Sequence, residues 1–152
     1  TTLTIAGGGE LERKVLSAQQ AGDGRLIFVR QPDRKTALAL AGNADLLLAT
    51  AQYGESFGLI LLEAMAAGVV PIAAANSGYA TVMTDEGAEL LVQPGDPNDL
   101  AQKTIALAKD AKKRKSFRRW GEQHASKYGL AKIGPEFETL FQHSIDPTCN
   151  GS

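Results

Sequence analysis

Short apolar runs alternate with longer segments of helical spacing along this chain. Each run is apolar at successive positions, which is typical of strands buried on both faces of a parallel sheet. The segments between the runs repeat apolar residues every three or four positions, as at Leu11, Val15 and Leu16, and this spacing predicts helices. We predict strands over residues 3–6, 25–29, 45–49, 69–75 and 88–92, and helices over residues 10–20, 32–42, 58–68, 97–109, 112–128 and 131–143.

This order of elements predicts the α/β fold class, a Rossmann-like parallel sheet with helices on both faces. Asp33 is the expected N-cap of the second helix, and Gly42 its expected end. Sheets of this kind bind ligands outside the carboxyl ends of their strands. The candidate site therefore lies in the loops at residues 7–9, 30–32, 50–57 and 76–79.

Composition narrows the possible classes of protein. The chain has 152 residues, of which 43% are hydrophobic and 22% charged, as expected for one globular domain. Its apolar runs are shorter than the roughly 18 residues of a membrane-spanning helix, and no signal peptide is visible, so we expect a cytoplasmic protein. A single cysteine, Cys149, excludes a disulfide framework within the chain and a Cys-rich metal site. His124 and His143 are expected to be ordinary packing or surface residues.

Charge is unevenly distributed along the chain. Residues 1–108 hold 7 Lys/Arg and 12 Asp/Glu, whereas residues 109–152 hold 9 and 5. The basic excess is concentrated in residues 109–119 and is expected to form a solvated face. Peripheral contact with an anionic membrane is an open alternative, at about 1 kcal/mol per basic residue. Nucleic-acid binding is not expected, because the net charge is −1 and aromatic residues do not interleave the basic run.

The glycine run at Gly7–Gly9 invites comparison with phosphate-binding loops. Gly7 and Gly9 fit the first two positions of the dinucleotide fingerprint, but Glu12 stands at the third, where close helix packing needs glycine. No Gly-Lys-Ser/Thr follows, so the run is not a P-loop. Two interpretations stay open, a tight turn after a strand and a loop that lets a ligand approach the backbone.

Two glutamates raise the main question about the function of the chain. The predicted helix over residues 58–68 is apolar on nearly every face, so we expect it to be buried, with Glu63 in its middle. A buried glutamate is costly unless it is hydrogen-bonded or paired. Glu55 precedes Glu63 by eight residues. At about 1.5 Å per helical residue, the two carboxylates would be up to roughly 12 Å apart. That separation exceeds the about 5–10 Å of a glycoside hydrolase pair.

The start of the predicted helix lies between these two acids. Unpaired amides near Phe57 to Ile60 and the positive end of the helix dipole favour an anion. The site therefore suits a ligand with phosphates in its middle and hydroxyls at both ends, and a nucleotide sugar has that order. A purely structural role for Glu63, at a solvated edge or beside an arginine, is the alternative.

The surrounding sequence resembles a known family. "ESFGLILLE", with "NADLLLATAQYG" before it and "AMAAGVVPIAA" after it, resembles the nucleotide-sugar half of the family-4 retaining glycosyltransferases. Those enzymes have the GT-B architecture, two Rossmann-like domains with a cleft between them. The similarity runs from "LTIAGGGE" through "LLVQPGDPNDLA" to the last helices. "GESFGLILLEAMAAG" and "NSGYATVM" are most similar to bacterial phosphatidylinositol mannosyltransferases, which use GDP-mannose.

The resemblance implies a role for each candidate residue. Glu55 would be the catalytic residue and hold hydroxyls of the donor sugar, and Glu63 would bind the ribose. The reaction would retain the anomeric configuration and need neither a metal nor another cofactor. The remaining donor-binding residues would be Ser56, Phe57, Gly58, Leu59 and Ile60 at the helix start, Gln31 and Pro32 beside the base, and Gly7 and Gly9 in the first loop.

The resemblance also implies that parts of a complete enzyme lie elsewhere. The family usually has a further strand before residue 3, followed by a loop with an arginine and a lysine that clamp the diphosphate. It often has glutamate where this chain has Thr81. We therefore expect residues 1–145 to be the donor-binding part of a two-domain enzyme, inactive without its N-terminal acceptor domain, and residues 146–152 to be a disordered tail. Two alternatives stay open, half of a nucleotide-sugar epimerase and a non-catalytic binding or docking module.

Overall fold

The computed structural model describes residues 1–22 and 24–129. The chain divides into two compact units, Thr1–Asn43 and Ala44–Ser152. Each unit combines parallel strands with flanking helices, which confirms the predicted α/β class. The predicted helix over residues 131–143 and the predicted tail over residues 146–152 lie outside the described residues.

The first unit is a β-α-β-α segment. Strands β1 (Leu3–Gly7) and β2 (Leu26–Arg30) pair in parallel, with Ile5 opposite Phe28. Helix α1 (Glu12–Ala21) joins the strands, and α2 (Arg34–Gly42) follows them. Asp33 caps α2 as predicted, because its Oδ1 accepts a hydrogen bond from the Thr36 amide at 2.7 Å.

The second unit contains a three-stranded parallel sheet with β4 at its centre. The strands are β3 (Leu46–Ala49), β4 (Val70–Ala74) and β5 (Leu91–Val92), in the order β3-β4-β5. All five residues of β4 are buried, as expected for a central strand covered on both faces. The apolar runs therefore predicted β1 to β4 correctly.

Helices surround this sheet. They are α3 (Leu59–Ala66), α4 (Ser77–Val82), α5 (Pro97–Lys109) and α6 (Ala111–Ala125), with 3₁₀ turns at Asp85–Leu90 and Ser126–Tyr128. α3 packs on α6, and Gly121 permits their close approach, since a Cβ there would lie 3.1 Å from Met65 Cγ. Trp120 lies over Gly87 and stacks on His124 at 4.9 Å between ring centroids.

Two element predictions were wrong. The segment at residues 76–79, expected to be a loop, contains the start of α4. Residues 88–92 were expected to form one strand, but a 3₁₀ turn occupies Asp85–Leu90 and the strand keeps only two residues. In both places a short helical segment holds apolar residues against the core, including the buried Val82 and Leu90.

Candidate functional site

The segment between β3 and α3 carries Glu55, and the main chain fixes one of its carboxylate oxygens. Glu55 is half-buried, and its Oε1 accepts a hydrogen bond from the Gly58 amide at 3.2 Å. The carboxylate therefore lies at the N-terminal end of α3, where a negative charge is favourable. Gly58 is the N-cap residue, and Leu59 and Ile60 are the first two helical residues. Their amides precede the first intrahelical hydrogen bonds and are available to an acceptor from outside the helix.

Gly58 is required at this position for two reasons. Its backbone is left-handed, with φ +96°, a conformation in which a Cβ is strained. A Cβ at Gly58 would also lie 2.7 Å from Tyr79 Cδ1. Alanine at this position would therefore have to displace either the start of α3 or the ring of Tyr79.

The first turn of α4 braces the Glu55 segment from behind. Asn76 Oδ1 accepts from the Tyr79 amide at 2.8 Å and so caps α4. Asn76 Nδ2 donates to the Ala51 carbonyl at 2.7 Å, which links this helix to the segment after β3. A Cβ at Gly78 would collide with the backbone of Glu55 and Ser56, so glycine allows the two segments to touch.

Tyr79 connects this brace to the chemistry of the site. Its side chain is buried, at 4% exposure, and its ring lies against Gly58, whose amide donates to Glu55. Burial raises the pKa of Tyr79, and the nearby negative charge of Glu55 raises it further. The phenol therefore stays protonated and uncharged at neutral pH.

Helix α3 is buried on one side only, so the expectation that Glu63 is enclosed was wrong. Glu63 is exposed, and it shares its face with Leu59 and Ile60, which are 66% and 43% exposed. The opposite face provides the core contacts, through Leu61, Leu62, Ala64 and Met65. An eight-residue helix lying on a sheet buries one stripe whatever its composition. Glu63 follows Leu59 by one turn, so the helix start and the second acid lie on the same surface.

Ser56 and Phe57 differ in what they offer to this surface. Ser56 is exposed. Phe57 is half-buried, and its ring packs edge-on against Tyr128 at 5.8 Å between centroids. The Phe57 side chain therefore anchors the segment, and contact of Phe57 with a ligand stays a prediction.

The other predicted residues lie in the first unit. Gly7 and Gly9 have φ of +148° and +146°, values that favour glycine, and the Gln31 amide donates to the Gly7 carbonyl at 2.9 Å. A Cβ at Gly8 would lie 2.8 Å from Gln31 Cγ, so the two predicted loops of this unit touch. Gln31 is exposed and Pro32 is half-buried. The glycine run is thus a turn that approaches Gln31 closely, and its contact with a ligand remains a prediction.

Other candidate chemistry has structural explanations. His124 is buried and its Nε2 lies 2.8 Å from the Val82 carbonyl, so it has the expected packing role. Thr81 Oγ1 donates to the Gly78 carbonyl within α4 at 2.6 Å. Residues 1–22 and 24–129 contain no group of three or more His, Cys, Asp or Glu side chains that could hold a metal ion. In the same part of the chain, no helix is long and apolar enough to cross a membrane.

Comparison with known proteins decides the family. The profile described as "Glycosyl transferases group 1" matches residues 1–124. The chain belongs to this family. The match includes both glutamates, the brace formed by α4 and both loops of the first unit, and it confirms the family expected from the segment that bears the glutamates.

Two group 1 relatives illustrate the similarity. The D-inositol 3-phosphate glycosyltransferase of Corynebacterium jeikeium (strain K411) is 36% identical over 138 residues, which are 90% of this chain and 33% of the relative. The phosphatidyl-myo-inositol mannosyltransferase of Mycolicibacterium smegmatis is 29% identical over 126 residues, 82% of this chain and 33% of the relative. The chain thus spans about a third of the length of these relatives.

Solved structures agree with the fold. Anabaena Alr3699/HepE in complex with UDP matches with a TM-score of 0.79 at 21% identity, over 94% of this chain and 41% of that one. The C-terminal domain of a group 1 family protein, LpcC of Francisella tularensis, matches with a TM-score of 0.66 at 27% identity, over 79% of this chain and 61% of that one. The Anabaena likeness shows the fold alone.

Proposed function

We propose that this chain is the donor-binding half of a retaining glycosyltransferase, which moves a hexose from a nucleotide sugar to a lipid or glycan acceptor. The observation that carries the proposal is the order of groups along one surface. A fixed carboxylate, Glu55, comes first, then the amides at the start of α3, and then the exposed Glu63 one turn later. The acceptor domain belongs to another part of the longer protein.

Each group suits one part of a nucleotide sugar. Glu55 accepts hydrogen bonds from hydroxyls of the hexose, and these bonds are strong because the acceptor is charged. The diphosphate lies at the amides of Leu59 and Ile60, where the helix dipole favours negative charge. Glu63 binds the ribose hydroxyls. Ser56 adds a hydroxyl beside the sugar. The ligand contacts that the family resemblance implies for Gly7, Gly9, Gln31 and Pro32 of the first unit stay predictions.

The chemistry requires little covalent participation by the protein. The bond between the anomeric carbon and the diphosphate oxygen breaks, and its electrons stay on the departing diphosphate. The acceptor oxygen bonds to the anomeric carbon, and its proton passes to an oxygen of that diphosphate. The start of α3 stabilises this developing charge through preorganised amides. The donor site works without a metal ion.

GDP-mannose is the proposed donor. Its mannose is the sugar moved by the relatives named phosphatidyl-myo-inositol mannosyltransferase. The names of both classes of relatives contain inositol, so an inositol phosphate, free or in a lipid, is the acceptor to test first.

Calorimetry with GDP, GDP-mannose, UDP and UDP-glucose tests the donor proposal in the full-length protein that contains this chain. The guanine pair is expected to bind more tightly than the uracil pair. Glu63→Ala is expected to weaken GDP and GDP-mannose alike by about tenfold or more, because a hydrogen bond to a charged group is worth about 1.5–3 kcal/mol. Glu86→Ala, which removes an exposed acid from the 3₁₀ turn at Asp85–Leu90, is the matched control.

Three results would contradict parts of this proposal. Unchanged GDP affinity in Glu63→Ala would remove the ribose role of Glu63. Preference for UDP-glucose would overturn the choice of donor. Binding of none of the four nucleotides would overturn the donor site and favour a docking module.

Helix α6 supplies the proposed contact with an anionic membrane. Two of its basic residues hold the fold, since Arg114 Nη1 donates to the Leu107 and Ala108 carbonyls at 2.6 and 2.7 Å and Lys113 Nζ lies 3.2 Å from Glu89. Of the four other basic residues of α6, all exposed, three are spaced by three and four residues and form what we term the α6 stripe: Lys112, Lys115 and Arg119. A positive stripe on the outer face of a helix suits the headgroups that surround a lipid acceptor.

A further inference from the structure

The side chain of Asn76 forms two hydrogen bonds, and only one of them caps α4. The residue is 7% exposed. Its Oδ1 accepts from the Tyr79 amide at 2.8 Å, and its Nδ2 donates to the Ala51 carbonyl at 2.7 Å. Serine or aspartate would cap the helix about as well as asparagine does. The donation to Ala51 requires the amide nitrogen, so capping alone does not account for asparagine at this position.

Both ends of the segment that carries Glu55 depend on this side chain. Residues 51–54 are exposed, so burial does little to hold them, and Asn76 Nδ2 fixes the first carbonyl of this stretch. At the other end, the first turn of α4 lies against the backbone of Glu55, because a Cβ at Gly78 would collide with it. Asn76 therefore holds one end directly and the other through the helical turn that it caps.

We propose that Asn76 is a positioning residue of the donor site, which holds the main chain at Ala51 and so orients the Glu55 carboxylate for the hydroxyls of the donor sugar. This inference rests on the proposed function. The Gly58 amide restrains one carboxylate oxygen at 3.2 Å, and the anchored backbone restrains the Cα from which the side chain extends. An acceptor that is oriented before the ligand arrives loses less conformational entropy on binding.

The amides proposed to bind the diphosphate are held by other contacts. Leu61 of α3 is fully buried, and Phe57, just before this helix, packs edge-on against Tyr128 at 5.8 Å between centroids. These contacts come from the core and from the end of α6, so the start of α3 keeps its place when the donation to Ala51 is lost. The bond from Asn76 to Ala51 therefore increases the affinity contributed by the sugar and leaves the affinity for the nucleoside diphosphate unchanged.

Asn76→Ser in the full-length protein that contains this chain is the test, with Kd measured for GDP, GDP-mannose, UDP and UDP-glucose. Serine keeps an N-cap acceptor but is too short to donate to the Ala51 carbonyl. The quantity of interest is the sugar increment, the ratio of the Kd of a nucleoside diphosphate to the Kd of its sugar. We expect Asn76→Ser to reduce this increment about three- to tenfold, the usual cost of ordering a freed side chain. The Kd of the nucleoside diphosphate should stay within twofold.

Asn43→Ser is the matched control. It makes the same substitution at the C-cap of α2 and removes a bond of the same kind, from Asn43 Nδ2 to the Ala39 carbonyl at 2.8 Å. The sugar increment should not change in this variant. Asn76→Asp provides the measurement if Asn76→Ser folds poorly, because an ionised aspartate has the shape of asparagine and caps α4 but cannot donate. Its charge acts on a nucleoside diphosphate and on its sugar alike, so it cancels in the increment.

A double-mutant cycle separates positioning from general support of the fold. If Asn76 acts through Glu55, Glu55→Gln with Asn76→Ser loses no more of the sugar increment than Glu55→Gln alone.

Each alternative result has a distinct meaning. Equal weakening of GDP and GDP-mannose by Asn76→Ser would show a structural role and overturn the inference. A sugar increment that depends on Glu55 but not on Asn76 would also overturn it, and would leave the proposed function standing. If the unmodified protein binds no nucleotide, the proposed function fails, and the inference fails with it.

Discussion

Replacing Gly58 by alanine should destabilise the second unit for two reasons, backbone strain and a steric contact with Tyr79. The backbone at φ +96° is left-handed, which costs a residue with a Cβ about 1–2 kcal/mol. The new methyl would also lie 2.7 Å from Tyr79 Cδ1, and overpacking of this kind costs about 1–3 kcal/mol. The expected loss is therefore about 2–5 kcal/mol.

Gly54 provides a matched control within the same segment. It has φ +80°, and a Cβ there would meet no atom within 4 Å, so Gly54→Ala should cost only the backbone part, about 1–2 kcal/mol. Urea unfolding followed by tryptophan fluorescence measures both variants. The chain has one tryptophan, Trp120 in α6, so the signal reports on the second unit.

The difference between the two variants is the quantity that tests the reasoning. A larger loss for Gly58→Ala, by about 1–3 kcal/mol, supports the contact between Gly58 and Tyr79. Equal losses would refute it, because backbone strain alone would then account for both. The outcome also bears on the proposed site, because Gly58, which lies against Tyr79, carries the amide that donates to Glu55.

Two further predictions concern pH and charge. The pKa of Tyr79 is raised in the folded chain. The contribution of Tyr79 to stability is therefore fully present below about pH 10, the ordinary value, and is lost as the pH rises through the raised pKa. In urea unfolding, Tyr79→Phe should lose less stability at alkaline pH than the unmodified protein does, and equal losses would contradict this. Replacing all three residues of the α6 stripe by glutamine should weaken the affinity for phosphatidylglycerol vesicles, measured by sedimentation at low salt, by up to about 100-fold. Phosphatidylcholine vesicles are the control, and an unchanged affinity would exclude the stripe as the membrane contact.

The strands were predictable because their signal is local. Continuous apolar runs mark strands covered on both faces, and β4 is buried along its whole length. Helix α4 was missed because it has only six residues and contains Gly78. Its N-cap was nevertheless visible in the sequence, since Asn76 precedes the helix and bonds the amide three residues on.

The burial of Glu63 could not be predicted from its neighbours. Helix α3 is apolar around most of its circumference, so its composition does not indicate which face meets the core. That choice is made by the sheet and by α6, which cover the side of Leu61 and Met65. The exposed face keeps Leu59 and Ile60 beside Glu63, an arrangement that a surface helix without a ligand or partner would not favour.

The residues that would bind a ligand lie close together in the sequence, whereas those that support them do not. Glu55, the start of α3 and Glu63 follow one another within nine residues, so a sequence motif contains all three. Tyr79 lies 24 residues beyond Glu55, and its ring lies against Gly58 because Gly78 lets α4 touch the Glu55 segment. The order of ligand-binding groups is thus local, whereas the orientation of the first carboxylate depends on tertiary packing. Substitutions that displace α4 should therefore move the Glu55 segment, although Glu55 itself is unchanged.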